Sequence, residues 1–140
     1  MFTRALTVSA DGTRLYAFTS DTDLGEIDSA SLALLNSIPI VSPGFPVDSL
    51  VYSKAQNAVY VTSFNDGAAT GFLYRVDLAT FTITAQQSLN TESLVAVTRM
   101  EARSTWPATS TPVGVFDGST LAQTGTVNVG PTFSGVCGPF

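Results

Sequence analysis

Histidine is absent from this chain, and cysteine and tryptophan occur once each in 140 residues. Without an imidazole the chain cannot assemble a Ser-His-Asp or Cys-His relay. Zinc and haem sites lose their usual ligands for the same reason. A single cysteine, Cys137, excludes an internal disulfide and reads as a small buried hydrophobe or an intermolecular bridge. Charge is scarce as well, at 12% of residues with a net charge of −5. Lys54 is the only lysine, and Arg4, Arg14, Arg75, Arg99 and Arg103 are scattered. No basic track exists for a phosphate backbone, so nucleic acid is not an expected partner. A continuous apolar run of about 18 residues is also missing, so no membrane insertion by a helix is expected despite a mean hydropathy of +0.27. Met1 to Ala10 lacks the basic and apolar stretches of a signal peptide. Gly130, Gly135 and Gly138 precede no helical pattern and form no phosphate loop. The acids Asp21, Asp23 and Glu26 lack the spacing of a calcium loop and read as solvated loop residues. No metal, no cofactor and no catalytic residue is expected, and the chain is read as a non-enzyme.

In place of charge the chain carries Ser and Thr and one motif written three times. Ile27-Asp28-Ser29-Ala30-Ser31-Leu32 returns as Val76-Asp77-Leu78-Ala79-Thr80-Phe81 and as Phe116-Asp117-Gly118-Ser119-Thr120-Leu121. Each copy reads apolar, Asp, two variable residues, hydroxyl, apolar. Upstream of each copy stands an aromatic residue: Tyr16, Tyr60 and Trp106. Eight residues before these aromatics lie Val8, Tyr52 and Thr98, with turn-forming stretches between at Ala10–Gly12, Ala55–Asn57 and Glu101–Arg103. The period is about 45 residues, which marks a propeller or a solenoid.

Within each unit the apolar residues alternate, as in Arg14-Leu15-Tyr16-Ala17-Phe18 and Ala58-Val59-Tyr60-Val61-Thr62. Period two with β-branched and aromatic residues means strands. Four strands fit each unit: near 4–9, 13–19, 23–28 and 32–38, then 48–53, 57–64, 71–77 and 81–88, then 94–99, 103–109, 112–116 and 121–128. The expected fold is all-β, with three four-stranded antiparallel propeller blades at 4–38, 48–88 and 94–128, and a single domain over 1–140. Residues 132–137 read as the first strand of a further blade. Asp11-Gly12 predicts a primed two-residue hairpin turn, since Gly supplies positive φ at little cost. Asn57 tolerates the same conformation in the second unit. Pro107 removes a backbone donor from the second strand of the third.

The repeated acids have a structural reading. A carboxylate opening a turn accepts hydrogen bonds from backbone N–H groups just ahead of it, and the hydroxyl at Ser31, Thr80 or Thr120 adds a further contact. Asp28, Asp77 and Asp117 are therefore assigned as structural turn caps. The longest inserted loop is 64–70, and Phe64, Asn65 and Asp66 are its candidate binding residues, since insertions in loops carry function.

Val8-Ser9-Ala10-Asp11-Gly12-Thr13-Arg14-Leu15-Tyr16 together with Tyr60-Val61-Thr62-Ser63 resembles the YVTN-repeat family of β-propellers. The likeness extends over nearly the whole chain, closely in the first two units and less so in the third. It implies a surface or secreted protein, an extracellular location and a binding or scaffolding role with a protein or glycan ligand, and it brings no catalytic residue. Three blades are fewer than the four to eight of a closed ring. The expected partners are therefore a second copy, in a homo-oligomer, or further blades of a longer chain. Two alternatives stand beside the scaffold reading: a structural subunit polymerising through its open ends, and a fragment of a larger propeller enzyme.

Overall fold

The computed structural model describes residues 5–40, 47–65, 70–89, 95–97, 102–104 and 113–127. Twelve strands and no helix occur among them, in three four-stranded sheets. The first sheet is β1 (Leu6–Val8), β2 (Arg14–Phe18), β3 (Asp23–Asp28) and β4 (Leu34–Pro39). The second is β5 (Val47–Ser53), β6 (Ala58–Asn65), β7 (Thr70–Asp77) and β8 (Thr82–Leu89). The third is β9 (Val95–Val97), β10 (Ala102–Ser104), β11 (Val113–Phe116) and β12 (Gln123–Val127). Every sheet is an antiparallel meander, each strand paired with the next in sequence. The opening strands neighbour one another, with β5 between β1 and β9, so the sheets fan out as blades around a shared edge.

Alternation along the strands divides each blade into two faces, and the ladder shows which residues share one. In blade 2 the rows Tyr52–Val59–Val76–Ile83 and Leu50–Val61–Tyr74–Gln86 lie on the face toward blade 1. We call this the leading face. Its residues join Tyr16, Phe18, Leu24 and Ile40 of blade 1 in one apolar core. Tyr16 stacks on Tyr52 there, with ring centroids 6.0 Å apart and planes 9° from parallel. The opposite, trailing face of blade 2 carries Ala58, Tyr60, Leu73 and Leu89, which pack with Phe116 and Leu121 of blade 3. Burial thus occurs between sheets rather than beneath one, as the two-sided apolar pattern of β6 requires: its first six residues are all buried.

The last hairpin of each blade is the same object three times. A four-residue loop follows the Asp, and a register shift occurs just before it, at Glu26/Ile27, Arg75/Val76 and Val115/Phe116. The fourth loop residue is in the left-handed region: Leu32 at φ 58°, Phe81 at 50° and Leu121 at 59°. In the outer copies the N–H of that residue bonds back to the Asp carbonyl, Leu32 to Asp28 at 2.8 Å and Leu121 to Asp117 at 2.9 Å. The loop is one closed helical turn with an αL exit, and the bulge follows from the extra residue it inserts. A left-handed leucine or phenylalanine costs about 1–2 kcal/mol. Burying such a side chain returns about 1.5–3 kcal/mol. Phe81 is 7% exposed and Leu121 0%, each wedged into the preceding blade, so there burial offsets the strain. Leu32 is 70% exposed.

Three local expectations need correction. The turn at Asp11-Gly12 is not a primed two-residue turn: only Gly12 has positive φ (74°), and its N–H bonds the Ser9 carbonyl at 2.9 Å. It is a Ser9–Gly12 turn with Gly at its last position, where an αL residue leads back into the strand. The stretch 101–103 is not a turn, because Ala102 and Arg103 already pair with Val97 and Ala96. The aromatic register also breaks in the third blade. Tyr16 pairs with Glu26 and Tyr60 with Arg75, each two residues before the motif Asp. The corresponding partner of Val115 is Arg103, not Trp106. Trp106, Pro107, the remainder of the 103–109 strand and the segment 132–137 lie outside the described residues.

The wedge yields a prediction. Leu121→Ala should cost about 2–5 kcal/mol in urea unfolding, because it empties a fully buried site between two blades that cannot collapse independently.

Candidate interaction surface

The repeated acids are held by their own turns. Asp28 Oδ1 accepts from the N–H of Ala30 (3.2 Å) and Ser31 (2.9 Å) and from Ser31 Oγ (2.9 Å). Asp77 Oδ1 does the same with Ala79 (3.0 Å), Thr80 (3.1 Å) and Thr80 Oγ1 (3.2 Å). Asp117 Oδ1 accepts from Ser119 N–H (3.0 Å), Ser119 Oγ (2.6 Å), Thr120 N–H (2.8 Å) and Thr120 Oγ1 (2.9 Å). These bonds favour the charged form and hold all three carboxyls below the usual carboxylate range, led by the Ser31 N–H for Asp28, the Thr80 N–H for Asp77 and the Ser119 hydroxyl for Asp117. A carboxylate so committed is a poor proton donor or acceptor near neutrality, since proton transfer wants a pKa near the working pH.

Arginines fasten two of these turns. Arg14 Nη1 lies 3.0 Å from Asp28 Oδ2 and its Nε 3.5 Å from Glu26 Oε1. Arg75 is more enclosed: Nη1 donates to Thr84 Oγ1 at 2.5 Å, Nη2 to the Gln56 carbonyl at 3.2 Å, and Asp77 Oδ2 stands 3.8 Å away. Polar bonds also cross between blades: the Tyr52 N–H donates to Thr7 Oγ1 at 3.2 Å, and in the buried core the Tyr60 hydroxyl donates to the Gly118 carbonyl. Burial pushes the Tyr60 hydroxyl up, and that of Tyr16 up to about 12, so both remain neutral donors.

The candidate loop is shorter than the sequence pattern indicates. Phe64 and Asn65 are the last residues of β6, paired with Gly71 and Thr70, so only 66–69 connect the strands. Asp66 lies outside the described residues. Phe64 covers Gly71, where a Cβ would stand 2.6 Å from the Ser63 carbonyl and 2.7 Å from the Phe64 ring. The acids of blade 1 do not converge. Asp23 and Glu26 have opposite parity on β3, Asp23 accepts from Thr22 Oγ1 at 2.9 Å, and Glu26 is taken by Arg14 and by Asn36 Nδ2 at 2.6 Å. Among the described residues no three His, Cys, Asp or Glu side chains gather as a metal site, and no helix is long and apolar enough to cross a membrane.

Among the described residues, the leading face of blade 1 leaves apolar side chains uncovered. Its rows, Val8–Leu15–Ile27–Leu34 and Leu6–Ala17–Gly25–Ser37, match the buried rows of blade 2 position for position. Leu6 is 58% exposed where Leu50 is 8%. Val8 and Leu34 are also exposed, and Leu32 stands out where Phe81 and Leu121 are wedged. Counting three blades anticipates open ends, but sequence reasoning assigned no residues to this face. Its signal was the apolar residue closing each copy of the motif, which has no local reason to be apolar in an exposed turn.

These blades and interfaces define a β-propeller architecture. Comparison with solved structures gives the same class. The chain is similar to Kuenenia stuttgartiensis hydrazine synthase, with a TM-score of 0.71, 11% identity, and coverage of 90% of this chain and 35% of that one. It is similar to the Cps50 (Swd1) β-propeller domain of Myceliophteria thermophila, with a TM-score of 0.69, 14% identity, and coverage of 92% and 42%. A chain of the mitotic checkpoint complex gives a TM-score of 0.67 at 12% identity, covering 92% and 40%. At these identities the likeness concerns the fold. The chain spans between 35% and 42% of the length of these structures. No protein-family model and no curated protein matches its sequence.

Two predictions follow from the turns and the cross-blade bond. The three Asp carboxyls are depressed in the folded chain, so their contribution is present above the unfolded value of 3.8 and lost as pH falls below it. The Tm should hold between pH 7 and pH 5 and fall below about pH 4, and Asp117→Asn should lower the Tm at pH 7 while flattening that acid limb. Tyr60→Phe should cost about 1 kcal/mol in chemical denaturation, because it strands the buried Gly118 carbonyl.

Proposed function

We propose that this chain is a non-catalytic interaction and scaffold module, a set of propeller blades of the YVTN-repeat kind from a surface or secreted protein. The observation that carries the reading is the engagement of its repeated polar residues. Asp28, Asp77, Asp117, Arg14 and Arg75 are spent on holding turns and blades, which leaves flat inter-blade faces and connecting loops as the surfaces on offer. The similarity to the Cps50 propeller domain and to a chain of the mitotic checkpoint complex supports an assembly role, since the second is by its title part of a complex. The sequence likeness to YVTN repeats supports the surface setting, with a protein or glycan ligand on the loops. The enzyme-fragment reading is favoured by one observation: hydrazine synthase is named as an enzyme, and this chain spans 35% of its matched chain.

The test is accessibility on intact source cells. An antibody raised against the 140-residue chain should label unlysed cells or precipitate the protein from the culture medium. Signal found only after lysis overturns the surface reading.

A further inference from the structure

An Asp-Gly pair is open to a spontaneous rearrangement, because glycine has no side chain to shield its nitrogen. That nitrogen attacks the aspartyl Cγ and an N–Cγ bond forms. The nitrogen gives up its proton and the carboxyl gives up its OH, which leave together as water. A water then adds to the cyclic imide at either carbonyl and breaks the bond from that carbonyl to nitrogen. Breakage at the backbone carbonyl leaves the chain running through the side-chain carbon, an isoaspartate of unchanged mass. The carboxyl must be neutral for the first step, since an ionised one resists a nucleophile. The sequence holds this pair at Asp11-Gly12, Asp66-Gly67 and Asp117-Gly118. Asp66 and Gly67 lie outside the described residues.

Both described pairs are tied at the reacting atoms. Asp11 Oδ1 accepts from Ser9 Oγ at 2.6 Å, Thr13 Oγ1 at 3.0 Å and the Thr13 N–H at 3.1 Å. The Gly12 N–H is engaged as well, with the Ser9 carbonyl at 2.9 Å. Reaction would require the carboxyl to turn from its donors and the nitrogen to leave its acceptor. Gly12 sits at φ 74° in an exposed turn, so a side chain there would relieve the hazard only at the cost of strain. The same bonds, led by the Ser9 hydroxyl, hold the Asp11 carboxyl down at about 2. Its neutral form is thinned about tenfold for each pH unit of that lowering. At Asp117 four donors converge on Oδ1. Gly118 is buried, and its carbonyl is held by the Tyr60 hydroxyl. The other two copies of the motif have Ser29 and Leu78 at that position, so the third turn alone carries this chemistry.

We propose that Asp11-Gly12 and Asp117-Gly118 are latent isoaspartate sites, each kept unreacted by the hydrogen bonds that its own turn places on the carboxylate and released when that turn opens. The two conversions have different consequences. At Asp117 the added backbone carbon and the displaced carboxylate break the turn that seats Leu121 between blades 2 and 3, which loosens that seam irreversibly. At Asp11 the change is confined to the exposed turn between β1 and β2.

The experiment is isoaspartate mapping of the 140-residue chain by protease digestion and electron-transfer mass spectrometry. The chain is first incubated at mildly acid pH, either folded or in urea. Both sites should convert about tenfold or more slowly in the folded chain. Ser9→Ala removes one donor from Asp11. Ser119→Ala removes one from Asp117 and gives the third turn the alanine already present at Ala30 and Ala79. Each variant, shown by circular dichroism to keep its strands, should convert several-fold faster at its own site and unchanged at the other. Equal conversion in the folded and unfolded chain overturns the proposal, as does a variant whose own site is unaffected. A variant that speeds both sites together reports opening of the whole chain and overturns the guard turn by turn.

Discussion

One turn governs this architecture: four residues, of which the second and third are held by the carboxylate in front of them and the fourth leaves in the left-handed region. The Asp satisfies the N–H groups that a single helical turn leaves open, as a cap does at a helix start. That fourth residue has positive φ in all three copies. At Phe81 and Leu121 its side chain plugs the preceding blade. Hydrogen bonding within one hairpin thereby fixes the spacing between two sheets, and the same local rule applied at each unit produces the fan.

The polar chemistry of the chain is consistent with that economy. A sequence with 12% charged residues has few ionic groups to place, and most of those seen here brace the turns. Arg14 ties Glu26 to Asp28 on the trailing side of blade 1, and Arg75 spans Gln56, Thr84 and Asp77 on that of blade 2. Between blades the described contacts are mainly aliphatic and aromatic, joined by polar bonds from the Tyr52 N–H to Thr7 Oγ1 and from the Tyr60 hydroxyl to the Gly118 carbonyl. Non-directional packing tolerates different side chains at equivalent positions, which is why Tyr74 can stand where blades 1 and 3 have Gly25 and Gly114.

Much of this was legible in the residues. Alternation located the strands because period two is a local property, and the Asp-hydroxyl spacing identified a turn because its bonds span three residues. What failed to show was set by partners far away in sequence. The Trp106 alignment counted residues along the chain, while the ladder counts pairs across it and places Arg103 opposite Val115. The Asp11-Gly12 pair looked like a primed turn, but the loop has room for Ser9 and Ala10, so only Gly12 takes positive φ. Phe64 and Asn65 were counted in the inserted loop 64–70, yet cross-strand pairing with Gly71 and Thr70 carries the ladder through both of them. Open ends followed from the blade count, but the residues that form the bare face of blade 1 emerged only on comparing exposure at equivalent positions.

Blade 2 is the only sheet with described neighbours on both flanks, and its second strand has Ala58, Val59, Tyr60 and Val61 at 0% exposure. In a linear array each sheet borrows its persistence from the ones adjoining it. Amide protons in β6 should therefore exchange more slowly than those in β1, whose ends are exposed. The most durable part of the polypeptide is thus selected by position in the array more than by its own composition, and a strand of identical sequence moved to either terminus would be among the first to melt.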